Sequence, residues 1–229
     1  MRTFSMIIPR GLIVSCQAPR GDPMHGSLFM ARMAFAAALG GAVAIRADGP
    51  EDIRAIRESV KLPIIGINKN YYPTSPVYIT PTFDEAAEVF QSGSDVLAVD
   101  GTERPRPRGE ELGRLIERIH ADLAVPVMAD VSNLEEGLRA ASLGADALAS
   151  TLSGYVEGSP KTPGPDLQLV KNLSASDDIP VVAEGRYQSP QEAATAIEMG
   201  AYAVVVGAAI TRPHLITENF AAALRKLLT

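Results

Sequence analysis

The sequence has no tryptophan, one cysteine and three histidines in 229 residues, and each scarcity excludes something. The single Cys16 forbids an intrachain disulfide and suits a reducing cytoplasm. His25, His120 and His214 fall far apart, on or beside helical stretches, so a zinc site has no histidine cluster to build on and no metal is expected. No run approaches 18 apolar residues, and Met1 to Arg10 lacks the apolar core of a secretory leader, so neither a membrane nor an export role is expected. Walker and Gly-x-Gly-x-x-Gly signatures after a strand are also missing, which leaves nucleotide cofactors without support. With a net charge of −6, general affinity for nucleic acid is not expected either.

What is present is aliphatic. Hydrophobic residues make up 46% of the chain, mostly Ala, Val, Ile and Leu in short runs that suit parallel strands buried on both faces. Eight such runs are read as strands, at residues 11–17, 42–46, 63–69, 95–100, 127–130, 147–151, 181–184 and 203–206. Helical stretches follow at 24–39, 51–59, 83–91, 110–121, 134–142, 166–173 and 190–199, and an eighth ends the chain. Two kinds of joint alternate. Strands 3, 5 and 7 are entered through Leu62-Pro63, Val125-Pro126 and Ile179-Pro180, where proline stops a helix and tolerates a strand's first position. Strands 2, 4, 6 and 8 follow Gly41, Gly93, Gly144 and Gly200, the residue type expected just past a helix. The alternation is a two-unit internal repeat. The expectation is a single α/β domain over residues 1–229, an eight-stranded parallel (β/α)8 barrel of the phosphate-binding type, close to the roughly 250 residues typical of that fold.

In such barrels the loops after strands 7 and 8 often cradle phosphate. Here both strands end in glycine beside a cation, Gly185-Arg186 and Gly207-Ala208 with Arg212, and glycine lets peptide N–H groups approach an anion. Seven strands end in a polar group: Gln17, Arg46, Lys69, Asp100, Asp130, Thr151 and Glu184. Lys69 and Glu184 close strands 3 and 7, four apart in a ring of eight, and so face each other across the mouth. Opposed proton donor and acceptor suit inversion at a carbon. A Lys–Glu ion pair, or a lysine that only binds phosphate, satisfies the same placement. Arg46, Arg186 and Arg212 are candidate clamps for a phosphate or carboxylate, while Asp100 and Asp130 either orient sugar hydroxyls or Lys69, or cap loops.

Six stretches, in this order, carry a resemblance to the N-acetylmannosamine-6-phosphate 2-epimerase family: 11–17, Pro63-Ile-Ile-Gly-Ile-x-Lys69, Ser75-Pro-Val-Tyr-Ile-Thr-Pro81, Thr151-Leu-Ser-Gly-Tyr155, Ala183-Glu-Gly-Arg186 and 207–213. The resemblance implies a cofactor-free, metal-independent N-acylglucosamine-6-phosphate 2-epimerase of sialic acid and amino-sugar catabolism. It implies catalytic roles for Lys69 and Glu184, and substrate contacts at Gln17, Arg46, Asp130, Gly185, Arg186, Gly207, Ala208 and Arg212. Asn70-Tyr71 and Gly101-Thr-Glu103 depart from the family pattern and put fine substrate specificity in question. Two other readings compete, a Schiff-base aldolase using Lys69 and a catalytically silent sugar-phosphate sensor; a metal-dependent pentose-phosphate epimerase fits less well without histidine ligands. The apolar row Ile216, Phe220, Leu224, Leu227 and Leu228 suits either a homodimer or packing of the last helix on its own barrel.

Overall fold

The computed structural model describes residues 2–176 and 178–228. Its centre is a closed barrel of eight parallel strands in sequential order: β1 Gly11–Cys16, β2 Ala44–Asp48, β3 Ile64–Ile67, β4 Val96–Asp100, β5 Val127–Asp130, β6 Ala147–Ala149, β7 Val181–Glu184 and β8 Ala203–Val206. Around it run α2 Ser27–Leu39, α3 Pro50–Ser59, α4 Phe83–Gln91, α5 Leu112–Arg118, α6 Leu134–Ser142, α7 Leu167–Ser176 and α8 Pro190–Glu198. A short α1 Phe4–Ile7 precedes the barrel, and α9 Ala208–Thr211 and α10 Pro213–Leu228 follow it.

Local chemistry sets the helix starts. Thr82 and Glu85 form a reciprocal cap on α4, and Ser189 with Glu192 repeats it on α8, where Pro190 takes the first turn. Asn133 caps α6 through the amide of Glu136. Strand residues alternate between two cores. Val14, Ile45, Leu97, Val127, Leu148 and Val204 point outward to the helices; Ile13, Ala44, Ile65, Met128, Val182 and Val205 fill the interior. Alternation along a strand thus decides which polar residues reach the barrel axis.

Three readings change. Strand 2 lies two residues later than the composition suggests, at Ala44–Asp48 instead of 42–46. The long helix expected over 110–121 gives way after Arg118 to a π-turn at Ile119–Leu123, which ends on left-handed Ala124. Residues 1–10 are more than a lead-in. Phe4 and Ile8 are fully buried in the interior core, Phe4 meets Tyr202 edge to face with centroids 6.1 Å apart, and the Tyr202 hydroxyl donates to the Ile8 carbonyl at 2.8 Å. This segment closes the floor of the barrel, the end where β8 begins. The last helix covers its own barrel only at its start: no described residue of α10 is buried, Ile216 is half-buried, and Phe220, Leu224, Leu227 and Leu228 stand exposed.

Candidate active site

The upper interior layer of the barrel is charged. Arg46 on β2, Asp130 on β5, Thr151 just past β6 and Glu184 on β7 all project inward at the carboxyl ends of their strands. The Arg46 guanidinium is only 1% exposed and grips Asp130 with both nitrogens, Nη1 to Oδ1 at 3.0 Å and Nη2 to Oδ2 at 2.5 Å. Nη1 also donates to Glu184 Oε2. The Thr151 hydroxyl donates to Asp130 Oδ1 at 2.7 Å and stands 3.1 Å from Glu184 Oε2. A buried cation is tolerable only when so neutralised. Burial by itself works against the charge on Arg46, but Asp130 and Glu184 more than offset this and push its pKa upward. Burial pushes the Glu184 carboxyl above its usual range, with Asp130 adding to the effect and Arg46 opposing it.

Lys69 forms a second group across the mouth. Its Nζ donates to Gln17 Oε1 at 2.5 Å and sits 3.3 Å from Asp48 Oδ2. The Lys69 backbone N–H donates to Asp48 Oδ1 at 2.9 Å, so one carboxylate holds both ends of the residue. Gln17 is oriented in turn by its Nε2 donating to Ser15 Oγ at 2.9 Å. The loop after β3 folds back on Lys69: an isolated antiparallel bridge joins Lys69 to Ile79, and Asn70 donates its N–H to the Tyr78 carbonyl at 3.0 Å. Thr80 takes a positive φ of 43°, costly for a β-branched residue. It is held there by a backbone bond of 2.9 Å to the Asn68 carbonyl and by its hydroxyl accepting the Asn68 N–H at 3.1 Å.

Lys69, Glu184, Gln17 and Arg46 line one cavity of about 1570 Å³, which also reaches Gly185, Arg186, Gly207, Ala208 and Arg212. That exceeds the roughly 300–1,000 Å³ of a small-ligand pocket, so the cavity includes open groove beyond the site proper. Asp130 does not line it. Wholly buried, it lies behind Arg46 and acts on the cavity through that residue. Asp100 is also wholly buried, and it caps its loop by accepting from Thr102 and Arg104.

At the phosphate-cup end, the two arginines are already engaged. Arg212 pairs with Asp22 from the loop after β1. Arg186 turns its guanidinium to the Ser153 and Gly164 carbonyls and to the Thr162 hydroxyl, pinning the Gly/Pro-rich loop after β6. Gly154 lies beneath it at a φ of 80°, where a Cβ would stand 2.2 Å from Arg186 Nη1 and would have to push the guanidinium off the loop. The backbone N–H groups of Gly185, Arg186, Gly207 and Ala208 donate to no acceptor among the described residues. They are the free donors at this end, and Gly185 presents its own from a φ of 109° that other residues rarely adopt.

Sequence reasoning missed Asp48. It lies beyond the apolar run that marks strand 2, yet it stands two residues after Arg46 and so on the same inward face. Extending the strand by that alternation would have found it. Of the two departures from family pattern, Glu103 faces Arg139 at 3.2 Å and does not line the cavity, whereas Asn70 and Tyr71 do.

Comparisons with known proteins show which family the chain is similar to. Residues 30–226 match the family model "Putative N-acetylmannosamine-6-phosphate epimerase". The "Putative N-acetylmannosamine-6-phosphate 2-epimerase" of Caldanaerobacter subterraneus subsp. tengcongensis is 50% identical over 214 residues, 93% of this chain and 90% of that one. The protein of the same name from Clostridium perfringens strain SM101 is 47% identical, over 93% of this chain and 96% of its own. A solved structure of the N-acetylmannosamine-6-phosphate 2-epimerase from Clostridium perfringens superposes with a TM-score of 0.93 at 45% identity, covering 97% of this chain and 96% of that one. A thiamine phosphate pyrophosphorylase from Pyrococcus furiosus, 18% identical with a TM-score of 0.58 over 88% of this chain and 87% of its own, shares the fold alone. The chain therefore belongs to the N-acetylmannosamine-6-phosphate 2-epimerase family.

Proposed function

We propose that this protein interconverts N-acetylmannosamine 6-phosphate and N-acetylglucosamine 6-phosphate by proton transfer at C2 of the open-chain sugar, in amino-sugar and sialic acid catabolism. One observation carries the reading. Lys69 and Glu184 reach a common cavity from β3 and β7, strands on opposite sides of the closed ring. Opening the ring to the aldehyde makes the C2 hydrogen α to a carbonyl. One of the two groups removes that proton, the electron pair moves into the carbonyl as an enolate, and the other group returns a proton to the opposite face. The aldehyde is the electron sink, and the mechanism asks for no cofactor. The raised Glu184 carboxyl is suited to carrying a proton, and its Oε1 has no hydrogen bond among the described residues.

The phosphate takes the N–H groups of Gly185, Arg186, Gly207 and Ala208, with Arg212 at its rim. Remote binding there aligns C2 between the two proton-transfer groups. Arg46 and Gln17 reach the sugar directly, and Asp130 supports Arg46 from behind. The protein works in the cytoplasm, where phosphorylated sugars are retained. It works as a homodimer, with the exposed Phe220, Leu224 and Leu227 of α10 covered by a second copy.

Proton NMR of N-acetylmannosamine 6-phosphate with the protein in D2O tests the reaction. The expected result is the gluco epimer carrying deuterium at C2, with Lys69→Ala and Glu184→Gln each losing turnover far more than substrate binding. Normal turnover in both variants, or a borohydride-trapped adduct on Lys69, would overturn the assignment, the second in favour of an aldolase.

A further inference from the structure

The Tyr71–Tyr78 pair is the part of the cavity wall that the reaction leaves unused. The two rings stack nearly parallel, 8° apart with centroids at 5.4 Å, and both line the cavity. Tyr78 packs on the interior core beside Ile67 and Ile79. Tyr71 is 74% exposed, so most of its ring is open to a ligand at the lip of the site. The hairpin beneath is fixed by the Lys69–Ile79 bridge and the Asn70–Tyr78 backbone bond. Tyr72 and Asn70 anchor it further, donating to Glu85 Oε1 at 2.5 and 2.8 Å. The shelf is therefore a built surface beside Lys69.

We infer that the Tyr71–Tyr78 stack is the subsite for the N-acyl group of the substrate, and that Tyr71 gives the enzyme a preference for acyl chains longer than acetyl. The inference rests on the proposed epimerase reaction and follows from covalent connectivity. The acyl nitrogen is bonded to C2, the carbon whose proton moves, so the acyl group lies within a few bonds of Lys69. The phosphate end is fixed on the opposite side, at β7 and β8. Next to Lys69, Gln17 and Asp48 form a polar wall already occupied by the ammonium. The other wall is Tyr78 together with Ile67 and Ile79, which line the cavity with it, the apolar side against which an acyl carbon chain can lie. An acetyl methyl covers Tyr78; a longer chain continues over Tyr71 toward solvent, where no further wall limits it.

The test compares N-acetyl- and N-butanoyl-mannosamine 6-phosphate as substrates, with kcat and KM read by NMR. Two extra methylenes, each half covered by the Tyr71 ring, favour the longer substrate about four-fold in KM. Tyr71→Ala should erase that preference and Tyr71→Phe should keep it, because the ring and not the hydroxyl makes the contact. Tyr155→Ala, which removes the other exposed aromatic of the cavity, should not move the ratio. A ratio unchanged in Tyr71→Ala, or one that tracks Tyr155 instead, overturns the inference while epimerisation itself stands. If the unsubstituted protein turns over neither sugar, the epimerase reading falls, and the acyl shelf falls with it.

Discussion

Replacing Asp130 with asparagine separates a residue that touches substrate from one that acts through Arg46. Asp130 accepts both guanidinium nitrogens at 3.0 and 2.5 Å, and neither partner is more than 1% exposed. Asparagine keeps one acceptor and places an amide NH2 against the second guanidinium nitrogen, so one charge-assisted bond is weakened and the other becomes a donor–donor contact. Charged hydrogen bonds contribute about 1.5–3 kcal/mol each, and breaking a buried pair costs about 3–5 kcal/mol when the remaining charge is left alone. Glu184 still faces Arg46, which places the expected loss near the lower bound, about 3 kcal/mol. At about 2–4 °C per kcal/mol for a chain of this size, the melting temperature should fall by about 6–12 °C. Urea unfolding with an unchanged m-value, together with a thermal melt, reads the loss, and turnover at 25 °C should drop mainly in kcat as Arg46 and Glu184 lose their alignment. A variant that keeps full stability but shows a raised KM would refute this account and make Asp130 a direct sugar contact.

Two further outcomes follow from the structure. Because burial raises the Glu184 carboxyl, the native state holds a proton there that the unfolded chain has already lost above about pH 4.3. Its contribution to stability is therefore complete below that pH and lost as pH rises through the native value, so the stability of the wild type minus that of Glu184→Gln should fall as pH rises above about 4.3; a difference that climbs with pH refutes the direction of the shift. For α10, Phe220→Ser combined with Leu224→Ser should turn a sedimenting dimer into a monomer with its far-UV circular dichroism retained, and a wild type that already sediments as a monomer rules out the homodimer.

The eight strand–helix units were legible because each strand is a short aliphatic run bounded by a proline or glycine joint, and burial on both faces demands that composition. Lys69 and Glu184 could be paired from strand order alone, since counting around a closed ring needs no side-chain geometry. The partners of the other charges could not be read this way. Asp48 sits past the apolar run of its strand, and Asp22, which engages Arg212, comes from a loop 190 residues away in sequence. Arg186 looks like a phosphate ligand by its position, yet its guanidinium braces the loop after β6. The helix at Phe4–Ile7 is a single turn, too short to show any periodicity, and its value lies in tertiary contacts with Tyr202.

The floor made by Phe4 and Ile8 has a practical side. It lies at the end of the barrel away from the loops that line the cavity, and Arg2 and Thr3, just ahead of it, are exposed. A tag, a surface linker or a fused reporter joined ahead of Arg2 would leave through the base of the molecule, with the mouth facing away from the support. Immobilised in that orientation, the protein would present every copy of its substrate entrance to the flowing solution.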